Sequence, residues 1–293
     1  MIYLNKFKFA TIEEEEKFEF SEMCYNTKYP FGILSKNEIK IINFDTITIF
    51  YGGNGSGKTT ALNIIAEKLR LKRENLYNSS NFFEKYLNFC DYKANKIPLK
   101  SRIITSDDVF DFTMSLRHIN EGINMRREEL FDEYDELKHQ DFTIKSLADY
   151  DKFRNEINKQ KIFKRQTKTQ FVLQSTQNNI KEQSNGESGF LYFTNKIEEN
   201  ALYLLDEPEN SLSPERQHEL LQFIQDSARF YNCQFIIATH SPFLLSLKDA
   251  KIYDFDTNPC RVRPWTELKN VRDYYNFFKL HEKEFENIET KGN

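Results

Sequence analysis

Glycine is scarce in this chain, with 9 residues in 293, where an average sequence of that length holds roughly 20. Proline occurs seven times, cysteine four times and tryptophan once. So little glycine and proline excludes a collagen-like chain, and 27 Phe with 15 Tyr exclude a disordered composition. The four cysteines, Cys24, Cys90, Cys233 and Cys260, are too far apart for a zinc or CxxC redox pattern and read as reduced structural residues. No apolar run reaches the ~18 to 20 residues of a membrane span, and Lys6 and Lys8 interrupt the first ten residues. Neither a span nor a signal peptide is expected, so the reading is cytoplasmic, with no membrane partner. Charge of neither sign dominates: 41 Lys and Arg face 45 Asp and Glu, a net of −4. No global basic field draws the chain onto nucleic acid, and a DNA contact would have to be a local patch.

Six of the nine glycines are clustered: Gly52, Gly53, Gly55 and Gly57, then Gly186 and Gly189. Apolar β-branched and aromatic runs precede the first cluster (Ile2 to Phe9, Ile39 to Phe44, Ile47 to Tyr51), and Leu62, Ile65, Ala66 and Leu69 follow it at helical spacing. Strand, glycine loop and helix are therefore consecutive. Residues 72 to 100 read as irregular, and Ile103 with Ile104 as a short strand. Beyond Gly186, a helix face (Phe190, Phe193, Ile197) leads into apolar strands at Ala201 to Leu205, Gln234 to Ala238 and Ile252 to Phe255, with a helix from Pro214 to Tyr231. Uniformly apolar strands separated by helices predict a parallel sheet buried on both faces.

Between Gly122 and Gly186 there is no glycine and no proline, which points to long helices. Leu130, Phe131, Tyr134 and Leu137 mark one apolar face; Leu147, Tyr150, Phe153 and Ile157 mark another, with Ser146 and Asp149 spaced as a cap. The first helix is acidic from Glu128 to Glu136 and the return segment basic from Lys159 to Lys168. The two either pair as an antiparallel hairpin or leave the basic stretch as a partner surface. Helices of ~20 to 25 residues would reach about 30 to 37 Å.

Gly52-Gly53-Asn54-Gly55-Ser56-Gly57-Lys58-Thr59 satisfies GxxxxGK[ST] in the context that motif requires. Backbone N–H groups of Gly53 to Thr60 would converge on phosphates, Lys58 would add a point charge, and the Thr59 hydroxyl would ligate Mg²⁺. Leu202 to Leu205 runs into Asp206-Glu207-Pro208, an apolar strand ending in two carboxylates. A phosphate loop needs one acid on a neighbouring strand for Mg²⁺ and another beside it to orient water, roles that fit Asp206 and Glu207. The cofactors expected are ATP and Mg²⁺, and the activity Mg²⁺-dependent ATP hydrolysis.

With Glu209-Asn210-Ser211-Leu212-Ser213 and Ile236-Ile237-Ala238-Thr239-His240-Ser241-Pro242 following in order, the chain resembles the ATP-binding-cassette ATPases, in the RecF and structural-maintenance-of-chromosomes branch. The resemblance implies an α/β P-loop NTPase fold with a mixed, largely parallel sheet, as in a stand-alone bacterial ATPase head with a short helical arm. The head would span 1–120 and 181–255, the arm 121–180, and a helical extension 256–293. It implies that His240 reaches the γ-phosphate, and that Gln183-Ser184-Asn185-Gly186-Glu187-Ser188 is a signature segment. Ser184, Gly186 and Glu187 would then contact ATP held by a second copy. Ser184 and Glu187 also make an ordinary capping box, and the two readings are compatible.

The family's glutamine loop has no glutamine here; after Ile104 the sequence reads Thr105-Ser106-Asp107-Asp108, leaving Asp107 or Asp108 as stand-ins. Tyr29 or Phe31 could stack on adenine, or be core. The aromatic stretch from Trp265 to Ile288 reads as an amphipathic helix that either packs on the head or docks a partner. The resemblance implies a homodimer closed by two sandwiched ATP molecules. Three functions stay open: an ATPase controlling a separate effector, as in anti-phage systems; a DNA-repair ATPase that binds DNA; and a transporter subunit, for which the expected signature and glutamine are missing.

Overall fold

The computed structural model describes residues 1–18, 27–139, 167–178, 185–210 and 212–289. The chain divides into two units, Met1–Phe110 with Asn185–Asn293, and Asp111–Ser184.

The first unit carries two sheets. A three-stranded antiparallel sheet has the order β2-β1-β4, from β1 (Leu4–Lys8), β2 (Ile41–Asn43) and β4 (Asp91–Ala94). The larger sheet has six strands in the order β5-β6-β7-β3-β8-β9. Its members are β3 (Ile47–Tyr51), β5 (Arg102–Thr105), β6 (Leu202–Asp206), β7 (Gln234–Thr239), β8 (Lys251–Asp254) and β9 (Arg261–Val262). All its pairings are parallel except the antiparallel edge strand β9. Every residue of β3, β6 and β7 is buried, as their largely apolar runs predict, and with them the polar Thr48, Asp206, Gln234 and Thr239.

Helices make up the rest of the regular structure among the described residues. In chain order the α-helices are α1 (Ile12–Glu16), α2 (Lys58–Lys68), α3 (Phe83–Leu87), α4 (Ser106–His139), α5 (Lys168–Ser175), α6 (Asn185–Lys196), α7 (Pro214–Phe230), α8 (Pro242–Leu245), α9 (Lys269–Leu280) and α10 (Glu282–Glu289). Helix α2 buries Ala61, Leu62, Ile64, Ile65 and Ala66 in the core, with Phe50, Leu204 and Ile236 from the strands beneath. The two sheets are tied by Gln234, which is fully buried. Its Oε1 accepts from the Tyr3 and Leu4 nitrogens, both at 2.8 Å, and its Nε2 donates to the carbonyls of Leu4 and Asp45.

Residues 72 to 100 are more regular than expected. They hold α3, anchored by buried Phe83 and Tyr86, and β4, whose exposed edge shows no apolar alternation that a sequence pattern could reveal. The helix that enters the glycine-free stretch starts earlier than that stretch. It begins at Ser106 and passes through Gly122 over 34 residues.

In the second unit, Leu130 and Tyr134 are buried, as is Val172 of α5. Tyr134 and Phe171 pack ring to ring, Lys168 pairs with Asp135 and lies over the Phe131 ring, and Arg127 reaches Thr176 and the Gln177 carbonyl. Position 127 meets 176 and 177 while 135 meets 168, so the two helices run antiparallel. Lys168 is the one described member of the basic stretch, and it is paired with acid. The expected face from Leu147 to Ile157 and its Ser146 cap lie outside the described residues.

Candidate functional site

Parallel strands end on one edge of a sheet, and three neighbours, β6, β7 and β3, bring the motif residues there. The glycine loop leaves β3, Asp206 and Glu207 end β6, and His240 follows β7. The ladder is in register to its end: Asp206 pairs with Ala238, and Thr239 with Tyr51.

The loop is shaped by glycines at left-handed dihedrals, Gly55 at φ 81° and Gly57 at φ 97°. A Cβ on Gly57 would come within 2.9 Å of Leu34 and 3.1 Å of Ile33. Gly57 caps α2 without any side-chain hydrogen bond, so the first-turn N–H groups of this helix face a cavity of about 430 Å³. Ile33, residues Asn54 to Thr60 and Glu207 line it. Asn54, Gly55, Ser56, Gly57, Lys58, Thr59 and Thr60 thus share one cavity, and Gly53 lies at the loop entrance. There the Gly53 nitrogen donates to both carboxylate oxygens of Asp256 at 2.9 Å. Asp256 carries no motif signal, because it arrives from the far end of β8.

Lys58 is buried and its Nζ donates to the Gly52 and Gly53 carbonyls at 2.7 and 3.0 Å, with Glu207 Oε1 at 4.0 Å. The Thr59 hydroxyl donates to Asp206 Oδ1 at 3.0 Å. Burial pushes the Asp206 carboxyl up to about 7, the Thr59 hydrogen bond opposing and the Glu207 charge adding to it. A threonine hydroxyl beside a buried carboxylate is a hard-oxygen pair suited to Mg²⁺ when phosphates and water complete the shell, and a cation there would offset the desolvation Asp206 bears. Among the described residues no group of three or more His, Cys, Asp or Glu could hold a metal by itself.

Glu207 sits at φ 47°, left-handed for a residue with a side chain. Its nitrogen donates to the Ala238 carbonyl at 2.9 Å, and Asn210 Nδ2 donates to its Oε2 at 3.1 Å. His240 Nδ1 lies 3.8 Å from Glu207 Oε1 and 3.6 Å from Glu209 Oε1, its ring half-exposed. The His240 carbonyl accepts from Asn270 Nδ2 of α9 at 2.6 Å. Beside this turn, an apolar groove of about 950 Å³ is walled by Phe243, Trp265, Tyr274, Tyr275 and Phe278. Helix α9 buries Val271, while its aromatics Tyr274, Tyr275, Phe277 and Phe278 stay about half exposed.

Other expected residues have different neighbours. Gln183 and Ser184 lie outside the described residues, and Gly186 falls in the first turn of α6. Glu187 pairs with Arg216 of α7 at 3.3 Å. The stretch expected to replace the glutamine loop is a helix start. Thr105 N donates to Asp108 Oδ2 at 2.6 Å and Asp108 N to Thr105 Oγ1 at 3.4 Å, a capping box that takes up Asp108, while Asp107 is exposed. The Tyr29 hydroxyl reaches Thr60 Oγ1 at 3.4 Å, whereas Phe31 packs edge-on against Tyr86 within the aromatic core.

The family described as "AAA domain, putative AbiEii toxin, Type IV TA system" matches residues 183–246, the span with the carboxylate strand and histidine turn. The Smc head domain of Pyrococcus furiosus, solved with an extended coiled coil and bound to the C-terminal domain of ScpA, overlays with a TM-score of 0.40 at 12% identity. That overlay covers 96% of this chain and 100% of that one. A dimeric ATP-binding cassette in a post-hydrolysis state with ADP and Pi overlays at 0.36 and 12% identity, over 78% and 90% of the two chains. The SMC head domain of Thermotoga maritima overlays at 0.29 and 14% identity, over 76% and 92%. No curated protein matches the chain. Overlays this loose say nothing of function, which rests on the site's own geometry.

Proposed function

We propose that the chain is an ATP hydrolase of the ATP-binding-cassette and SMC-like kind. The observation that carries this reading is the convergence of Lys58, Thr59, Asp206, Glu207 and His240 at one sheet edge. The residues come from three strands, and Thr59 touches Asp206. The N–H groups of Asn54 to Thr60, through the start of α2, bind the β- and γ-phosphates, while the Gly53 N–H stays on Asp256 and Lys58 leaves its carbonyl partners to neutralise them. Thr59 and Asp206 hold Mg²⁺, which when bound draws charge from the phosphate oxygens. Glu207 orients a water molecule and takes its proton as the water oxygen bonds to the γ-phosphorus and the bridging P–O bond breaks, yielding ADP and phosphate. His240, on the same edge, contacts the γ-phosphate.

Two copies closing over two ATP molecules, with Ser184 and Gly186 of each facing the other's γ-phosphate, extend this reading, as does control of a separate effector in the cytoplasm. The toxin-system wording of the matching family favours the effector role over DNA repair. An anti-phage setting belongs to the same proposal. Mg²⁺-dependent release of phosphate from ATP tests the core reading, with Lys58→Ala expected to abolish it. Size measurement of Glu207→Gln with ATP tests the dimer: a monomer throughout, with Ser184→Arg turning over normally, removes it. DNA binding at ~50 mM salt would revive the repair reading.

A further inference from the structure

The last β6 to β7 ladder pair is Asp206 with Ala238, and the last backbone hydrogen bond between the two strand exits runs from the Glu207 nitrogen to the Ala238 carbonyl. Beyond it, the turn bearing His240 is fastened to the carboxylate-bearing segment by a side chain. Glu209, buried with only 5% of its side chain exposed, accepts three hydrogen bonds at one oxygen. Thr239 Oγ1 lies at 2.6 Å, the His240 nitrogen at 3.0 Å and the Ser241 nitrogen at 3.2 Å.

We propose that Glu209 is a positioning residue that sets where His240 stands relative to Glu207 and the phosphate loop. The His240 ring is half-exposed, so packing does not fix it; the Glu209 oxygen holds its backbone nitrogen at 3.0 Å and lies 3.6 Å from its ring Nδ1. Three hydrogen bonds converging on one buried oxygen fix both the height and the tilt of the turn. The same turn is held from its other side by Asn270, on the His240 carbonyl. Glu209 touches neither the loop nor a phosphate position in this geometry, so its effect passes through His240.

This inference rests on the ATPase reading, and the test separates the two. Glu209→Ala is expected to lower kcat by about 10- to 100-fold, less than the roughly 100- to 1,000-fold cost of removing a preorganised transition-state donor outright because His240 itself is kept, with KM for ATP changed by less than about threefold. Glu209→Gln keeps an oxygen that can accept all three bonds and should restore most of the rate. The double variant with His240→Ala should be no slower than His240→Ala alone. Thr239→Val, which removes one donor without emptying the site, should lose less than Glu209→Ala. Amide exchange at His240 and Ser241 should quicken in Glu209→Ala while the β6 amides keep their protection. Full turnover in Glu209→Ala, additive losses in the double variant, or unchanged exchange at 240 and 241 would overturn the proposal while leaving the ATPase reading intact. A wild type with no Mg²⁺-dependent ATP turnover overturns both.

Discussion

The Thr59 hydroxyl donates to Asp206 Oδ1 across 3.0 Å, joining residues 147 positions apart in the chain. That contact brings the first residues of α2 to the end of β6 and presents two hard oxygens together. Thr59→Ala should weaken ATP binding about tenfold, or about 1.4 kcal/mol, when Mg²⁺ is present. The same titration in EDTA should show little difference from wild type. Equal losses with and without Mg²⁺ would mean that the hydroxyl serves the loop and not the cation.

Glu207 adopts φ 47° because its nitrogen must reach Ala238 while its carboxylate turns toward Lys58 and His240. Left-handed backbone costs an ordinary L-residue roughly 1 to 2 kcal/mol, and asparagine tolerates it far better than a β-branched side chain. Glu207→Asn should therefore unfold at a higher temperature than Glu207→Val, with neither variant turning over ATP. Identical melting temperatures would show that the turn relaxes freely.

Asp108 is buried and its Oδ1 has no hydrogen-bond partner. Burial raises its pKa, against the two hydrogen bonds from Thr105. With the folded value above the unfolded value of about 3.9, the unfolded chain ionises first as pH rises. Stability is therefore lost across the interval between the two values and not regained above it. Asp108→Asn keeps an oxygen for Thr105 and escapes this loss. Its melting temperature relative to wild type should be higher at pH 7.5 than at pH 4.5, and a gain equal at both would count against the burial argument.

Gln234 makes four hydrogen bonds while fully buried. Gln234→Leu keeps the volume but leaves two N–H groups and two carbonyls of the β1 and β3 approaches without partners. A loss of about 2 to 4 kcal/mol in urea unfolding follows from the cost of such orphaned groups. A loss under about 0.5 kcal/mol would show that water replaces the amide.

The strand runs and the glycine loop were legible because each is a local signal: residues 47 to 51 are β-branched or aromatic throughout, 202 to 205 are Leu and Tyr, and GxxxxGK[ST] is contiguous. The sheet's buried core and the meeting of Lys58, Thr59, Asp206, Glu207 and His240 follow from parallel topology acting on those signals. Glu209, Asn270, Asp256 and Gln234 were not legible, since each is defined by a partner brought close only by the finished fold. Strand β4 was missed for a related reason. It is an exposed edge whose pairing with β1 needs no apolar pattern. Thr105 to Asp108 shows the opposite error, where an expected loop is a helix start, though the capping pair was visible at its proper spacing.

Strand β3 takes its two neighbours, β7 and β8, from chain beyond residue 233. On a ribosome, everything up to residue 233 would emerge while the phosphate loop still lacked both walls of its sheet. Pairing across such separation is slow, because the intervening chain must be closed before any contact is gained. Nucleotide retention by stalled nascent chains should accordingly appear late and abruptly, once residue 254 has cleared the exit tunnel, and no fragment ending before β7 should hold ATP. The site is thus a checkpoint on synthesis: a truncated chain carries an intact glycine loop motif and yet has nowhere to fold it.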